Sequence, residues 1–143
     1  MTIAIINGPN LNLLGKREPG IYGQQTFAEY FEQLCRLFPD VTFTHFQSNV
    51  EGELVTALQQ AGASVQGIVL NPAAYTHTSV AIGDAIAAIA VPVVEVHISN
   101  VHAREDFRKI SHVSAKVAGT ISGLGLAGYE LAVRWLLQRA TAL

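Results

Sequence analysis

Four side chains in this sequence have the types and spacing to move protons. Arg17 and Tyr22 stand five apart in one loop, and Glu95 and His97 stand two apart further along. A tyrosine with its ordinary pKa of about 10 is ionised to only about one part in a thousand at neutral pH, which makes it a poor base. A nearby cation changes that. One unit charge about 4 Å away, at an effective dielectric near 20, contributes roughly 4 kcal/mol, enough to lower the pKa by about three units. Arg17 is near enough in the chain to supply it to Tyr22. Glu95 and His97 end an apolar run, and on a strand residues two apart leave on the same face. A carboxylate that accepts from one imidazole nitrogen fixes the ring's tautomer and supports its protonated form, as a general acid requires. The expected chemistry is an elimination or isomerisation of a small polar substrate, with Tyr22 as base and His97 as acid.

These residues need a frame that brings distant loops together. Apolar, largely β-branched runs at 3–6, 41–46, 67–70, 93–96 and 118–121 predict five strands. Thr26 is a natural N-cap with Glu29 three residues on. Phe27, Tyr30, Phe31, Leu34, Cys35 and Phe38 then recur at helical spacing until Pro39. Leu54, Val55, Leu58 and Ala61 predict a second helix ending before Gly62, and Ile82, Ala85, Ile86 and Ile89 a third ending before Pro92. A short helix is expected over 105–110 and a long one over 125–139. Strand and helix alternate with no linker, composition break or internal repeat. The expectation is therefore one flavodoxin-like α/β domain over residues 1–143, a doubly wound five-stranded parallel sheet with right-handed crossovers.

In that fold the loops after the first, third and fourth strands share a rim beyond the strands' carboxyl ends, where ligands bind. The first of them, 7–23, exceeds the length usual for a compact domain unless it is functional. The rim carries Asn10, Arg17, Tyr22, Asn71, His77, Glu95, His97 and Ser99, with Arg108 just downstream.

Composition narrows the partners. Half of the 143 residues are hydrophobic, only 14% are charged and the formal net charge is −2, with no basic cluster to attract nucleic acid or an anionic membrane. So few charges suggest that copies of the chain cover part of its surface. No apolar run is long enough to span a bilayer and no signal-peptide pattern opens the sequence, so a soluble cytoplasmic protein is expected. Cys35 is alone and is expected to be a small buried hydrophobe. Metal-ligand spacings, a Walker loop, a nucleophile elbow and a full dinucleotide fingerprint are all missing. No metal and no cofactor is expected. Lys16, Lys109 and Lys116 lie off the predicted strands, away from the desolvation that would make an imine-forming nucleophile.

The motifs together are specific. Asn7-Gly-Pro-Asn-Leu-Asn-x-Leu-Gly, Arg17 followed by Tyr22-Gly23, and Gln47-Ser-Asn-x-Glu-Gly52 come first. Asn71-Pro-x-Ala-Tyr-Thr-His-Thr-Ser79, Glu95-Val-His-x-Ser-Asn100 and Arg104-Glu-x-Phe-Arg108 follow. In this order the chain resembles the type II 3-dehydroquinate dehydratases over nearly its whole length. The resemblance implies anti elimination of water from 3-dehydroquinate to 3-dehydroshikimate through an enolate, without metal or imine. It implies Tyr22 as base, Arg17 holding it as tyrosinate, and Asn10 positioning a water at the enolate oxygen. His97, oriented by Glu95, would be the acid, and Asn71, His77, Ile98, Ser99 and Arg108 would bind substrate. A homododecamer built from trimers is implied too, with Asp84 reaching a neighbouring subunit's site. Residues 7–15 would then be a fixed wall and residues 16–23 a lid that completes the base on closing. Ala73 stands where the family usually has glycine; if the backbone there needs a positive φ, alanine strains the loop by about 1 kcal/mol. The alternatives are a flavin-binding flavodoxin-like module, for which the first loop lacks the Ser/Thr/Gly phosphate cradle, and a phosphoacceptor module, for which Asn71 replaces the needed aspartate. A non-catalytic scaffold of the same fold is a third.

Overall fold

Along β1 (Thr2–Asn7) of the computed structural model, Ile3 and Ile5 pack into one buried layer and Ala4 and Ile6 into the other. This is the period-two alternation of a strand covered on both faces. The structure describes residues 1–16, 20 and 23–142. Arg17 and Tyr22 lie outside the described residues, and so does most of the predicted lid.

β1 is joined by β2 (Thr42–Gln47), β3 (Gly67–Asn71), β4 (Val93–His97) and β5 (Gly119–Ser122). All pairings are parallel, in the order β2-β1-β3-β4-β5, which is the doubly wound flavodoxin-like arrangement. The helices are α1 (Phe27–Leu37), α2 (Glu51–Ser64), α3 (Val80–Ala87) and α4 (Ala127–Thr141). Phe27, Tyr30 and Leu34 of α1 share one layer with Tyr129, Ala132, Val133 and Leu136 of α4, against Ile3, Ile5, Val69, Val94 and Val96. Leu54 and Leu58 of α2 and Ile82, Ala85 and Ile86 of α3 cover the other face, against Ala4, Ile6, Ile68 and Leu70. Among the described residues no helix is long and apolar enough to cross a membrane.

The start of α1 is set by a local signal. Thr26 and Glu29 form the reciprocal capping box, with Glu29 N–H donating to Thr26 Oγ1 at 3.2 Å and Thr26 N–H to Glu29 Oε2 at 2.9 Å. Gly62 does not stop α2, which continues to Ser64. A Cβ at this position would lie 2.5 Å from Ile89 Cγ2, so the glycine lets α2 close on the segment after α3 rather than ending a helix. The segment expected as a helix over 105–110 is a single 3-10 turn, Asp106–Lys109. Cys35 is half-buried, on the flank of the apolar stripe of α1 rather than at its centre. β2, at the sheet edge, is largely exposed.

The switch point of the sheet falls between β1 and β3, whose last residues Asn7 and Asn71 are register partners. Gly8 follows at once. A Cβ there would sit 2.6 Å from the Pro72 carbonyl oxygen, so only glycine lets the two chains leave the sheet this close together.

Candidate active site

Val93, Glu95 and His97 leave β4 on the same face by strand alternation, and the last two meet: His97 Nε2–H donates to Glu95 Oε1 at 2.7 Å. Glu95 is fully buried and His97 is 7% exposed. A carboxylate removed from water needs hydrogen-bond donors, and here hydroxyls supply them. Thr76 Oγ1 donates to Oε1 at 2.6 Å, Ser114 Oγ to Oε2 at 2.5 Å and Thr120 Oγ1 to Oε2 at 3.4 Å. Ser111 Oγ lies 2.7 Å from Thr76 Oγ1 and accepts the N–H groups of Val113 and Ser114, which fixes the turn carrying Ser114. Burial pushes the Glu95 pKa up, but the hydrogen bond and charge of His97, with the Ser114 and Thr76 hydroxyls, outweigh it. Glu95 is held below the usual carboxylate range. Its bond to Nε2 leaves Nδ1 as the nitrogen of His97 able to act on a ligand.

A cleft opens above this pair, on the rim where three loops meet. Pro9, Asn10, Leu11, Leu13 and Leu14 line it from the loop after β1, and Asn71, Ala73, Ala74 and His77 from the loop after β3. His97, Ile98, Ser99, Val101, Arg104 and Arg108 close it from the β4 side. Asn10, Asn71, His77, His97, Ile98, Ser99 and Arg108 thus share one cavity, with Glu95 just beneath. Asp84 does not join them; it is exposed on α3.

Each wall residue is held by its own local chemistry. Asn10 takes the left-handed backbone, φ 69°, that asparagine tolerates, and its N–H donates to Asn49 Oδ1 at 3.0 Å. Asn71 is 3% exposed; its Nδ2 donates to Tyr129 OH at 2.9 Å and its Oδ1 accepts from Ala73 N–H at 3.1 Å. Ala73 has φ 51°, so the position does use the conformation that suits glycine. His77 Nδ1 donates to the Ile110 carbonyl at 2.7 Å, and its ring lies 6.5 Å from that of His97, nearly parallel. Burial lowers the His77 pKa; the Ile110 carbonyl opposes this, while His97 and Arg108 add to it, which favours a neutral ring. Arg108 Nε donates to Glu105 Oε2 at 2.7 Å at the cleft mouth.

Sequence reasoning missed several members. Arg104 lines the cleft with Nη1 3.4 Å from Ser99 Oγ, yet was read only as part of a motif. Its pairing with Arg108 at one i, i+4 step was the available signal. Thr76 stood in a quoted motif without a role, and Ser111 and Ser114 carried no signal, because hydroxyls on turns are common and only the folded chain brings them to Glu95. Among the described residues no group of three or more His, Cys, Asp or Glu side chains is placed to hold a metal ion. The arrangement offers a buried imidazole-carboxylate donor, two arginines and several amides around a small polar ligand, a set suited to proton transfer on an oxygen-rich anion.

The sequence model of the family described as dehydroquinase class II matches residues 1–137. A 3-dehydroquinate dehydratase of Photobacterium profundum is 53% identical over 96% of this chain and 93% of its own length. One from Tolumonas auensis is 55% identical over 92% of this chain and 88% of its own. The crystal structure of type II dehydroquinase from Propionibacterium acnes superposes with a TM-score of 0.90 at 44% identity, covering 94% of each chain.

Proposed function

The chain belongs to the class II dehydroquinase family, and from that premise we propose that it catalyses the dehydration of 3-dehydroquinate to 3-dehydroshikimate by acid-base chemistry carried by its own side chains. The observation that carries the mechanism is the His97–Glu95 pair, 2.7 Å apart with Glu95 wholly buried, at the floor of the cleft. Tyr22, kept as tyrosinate by Arg17, takes a proton from the carbon beside the ketone, and the electron pair moves onto the ketone oxygen as an enolate. A water held by Asn10 donates to that oxygen. The enolate then re-forms the carbonyl, the ring gains a carbon-carbon double bond, and the bond to the departing hydroxyl breaks. His97 supplies the proton that lets it leave as water, and Glu95 stabilises the imidazolium in advance of that transfer. Proton and hydroxyl leave from opposite faces.

Asn71 and His77 bind ring hydroxyls, Ser99 and the backbone at Ile98 take the carboxylate, and Arg108 braces the hydroxyls from the mouth. The assembly proposed is a homododecamer built from trimers, in which the exposed Asp84 serves a neighbouring subunit's cleft; the low charge content of the chain, 14% of residues, fits a surface partly covered by its own copies. Lack of a membrane-spanning helix among the described residues fits a cytoplasmic enzyme.

The test adds 3-dehydroquinate to pure protein and follows the ultraviolet absorbance of the conjugated enone, with and without chelator and borohydride. The expected result is steady turnover insensitive to both, and near-complete loss in a folded Tyr22→Phe variant. No turnover, or turnover abolished by chelator or borohydride, contradicts the proposal.

A further inference from the structure

We propose that Tyr129, in the middle of the fold and behind the cleft, is a positioning residue for substrate binding: it holds the side-chain amide of Asn71, in the sense that the Ala73 N–H sets, so that an N–H and not the carbonyl oxygen faces the ligand. The proposal rests on the reading of Asn71 as a substrate ligand. Tyr129 is fully buried on α4 among the aromatic rings of the α1 layer, with Phe27 at 5.2 Å and Tyr30 at 6.0 Å between centroids. An aromatic stripe at helical spacing needs no hydroxyl to fill a core. This hydroxyl is nonetheless bonded twice, accepting from Asn71 Nδ2 at 2.9 Å and donating to Asn7 Oδ1 at 2.7 Å.

Donor and acceptor counting gives these bonds one polarity. The N–H of Ala73 can only donate, so the Asn71 atom 3.1 Å from it is the oxygen and the atom facing Tyr129 is the nitrogen. Tyr129 oxygen then accepts, and its single proton goes to Asn7 Oδ1. Asn7 therefore turns its Nδ2 toward His45 Nε2, 3.2 Å away, which must be the unprotonated nitrogen of that ring. Burial against Phe27 and Phe31 lowers the His45 pKa, in keeping with an acceptor there. A backbone donor thus sets the sense of a relay running from β3 through α4 and β1 to β2. One hydrogen of Asn71 Nδ2 is used by Tyr129; the other is left for the cleft that Asn71 lines. The site accordingly selects a ligand oxygen with a lone pair at that point, and rejects one offering only a donor.

A Phe in place of Tyr129 keeps the ring and removes the relay. Asn71 then loses its partner on one side and can rotate, so the binding term should suffer and the chemical step should not. The expected result for Tyr129→Phe is a KM for 3-dehydroquinate raised about ten-fold, the effect of one lost hydrogen bond, with kcat within about three-fold. In an Asn71→Ala background the same change should leave KM unaltered, because its target is gone. Multiplying KM equally in both backgrounds, or lowering kcat with KM unchanged, overturns the proposal. If Tyr129→Phe does not fold, neutron diffraction of the unaltered protein decides. A deuteron on Tyr129 aimed at Asn7, with Asn71 Nδ2 aimed at Tyr129, supports the relay, and the reverse polarity overturns it. An inactive unaltered protein would instead sink the functional reading.

Discussion

Replacing Glu95 by glutamine tests the acid directly, since the change is nearly isosteric and removes only the charge and one acceptor. At 2.7 Å and an effective dielectric near 20, the attraction between the carboxylate and an imidazolium is about 6 kcal/mol before desolvation is subtracted. His97 without that partner loses the carboxylate that orients its ring toward the ligand, and a positioned general acid is worth about 10²- to 10⁴-fold. Glu95→Gln should therefore lower kcat at pH 7 by about 10²-fold or more while KM changes little, as read from enone absorbance at saturating substrate. The amide nitrogen must also face either the Nε2–H of His97, donor against donor, or Ser114 and Thr120, whose hydroxyls must then turn from donating to accepting. One mismatch of this kind costs about 1–3 kcal/mol of stability. Because the folded Glu95 pKa is depressed, its stabilising share is complete above the unfolded carboxylate pKa and is lost as pH falls through the folded value. The stability gap between the two proteins should thus be full at pH 7 and shrink in strong acid. A folded Glu95→Gln protein with kcat within about three-fold of the unaltered enzyme would refute the assigned role.

Three further outcomes follow from individual geometries. Ala73→Gly relieves a left-handed alanine at φ 51°, worth about 1–2 kcal/mol, against about 0.4–1 kcal/mol of added unfolded-state entropy. Urea unfolding should show it up to about 1.5 kcal/mol more stable, and a loss of stability would contradict the strain. Gly62→Ala gains about 1 kcal/mol of helix propensity but drives a Cβ to 2.5 Å from Ile89 Cγ2, so the variant should melt lower; a higher melting temperature would show that α2 does not need this close approach. His45 has a lowered folded pKa, so the unfolded chain binds the proton first and stability falls as pH drops below about 6.5. His45→Asn should flatten that part of the stability profile, by well under one proton's worth because the edge strand is partly solvated; an unchanged slope would assign the titration elsewhere.

The parts of the fold that were legible in the sequence are those set by period and by local capping. Continuous apolar runs marked β1, β3 and β4 because both their faces are covered, and Thr26 with Glu29 marked the start of α1 because the capping box is local. The same-face placement of Glu95 and His97 followed from strand period alone. What stayed hidden depends on distant partners. Gly62 read as a stop because its contact, Ile89, is twenty-seven residues away, and nothing local marks the Tyr129 hydroxyl, whose polar partners Asn7 and Asn71 end β1 and β3. The hydroxyls around Glu95 come from turns nineteen residues to either side, each unremarkable until the chain folds. Arg17 and Tyr22, whose types and spacing alone suggest a tyrosinate base, lie outside the described residues.

The most direct measurement of the central claim, a two-sided elimination with Tyr22 and His97 on opposite faces of the substrate, follows stereospecific deuterium label at the carbon beside the ketone. With substrate deuterated anti to the departing hydroxyl, the 3-dehydroshikimate formed should have lost the label to solvent, and substrate deuterated syn should retain it. Retention of the anti label, or loss of the syn label, would contradict the account.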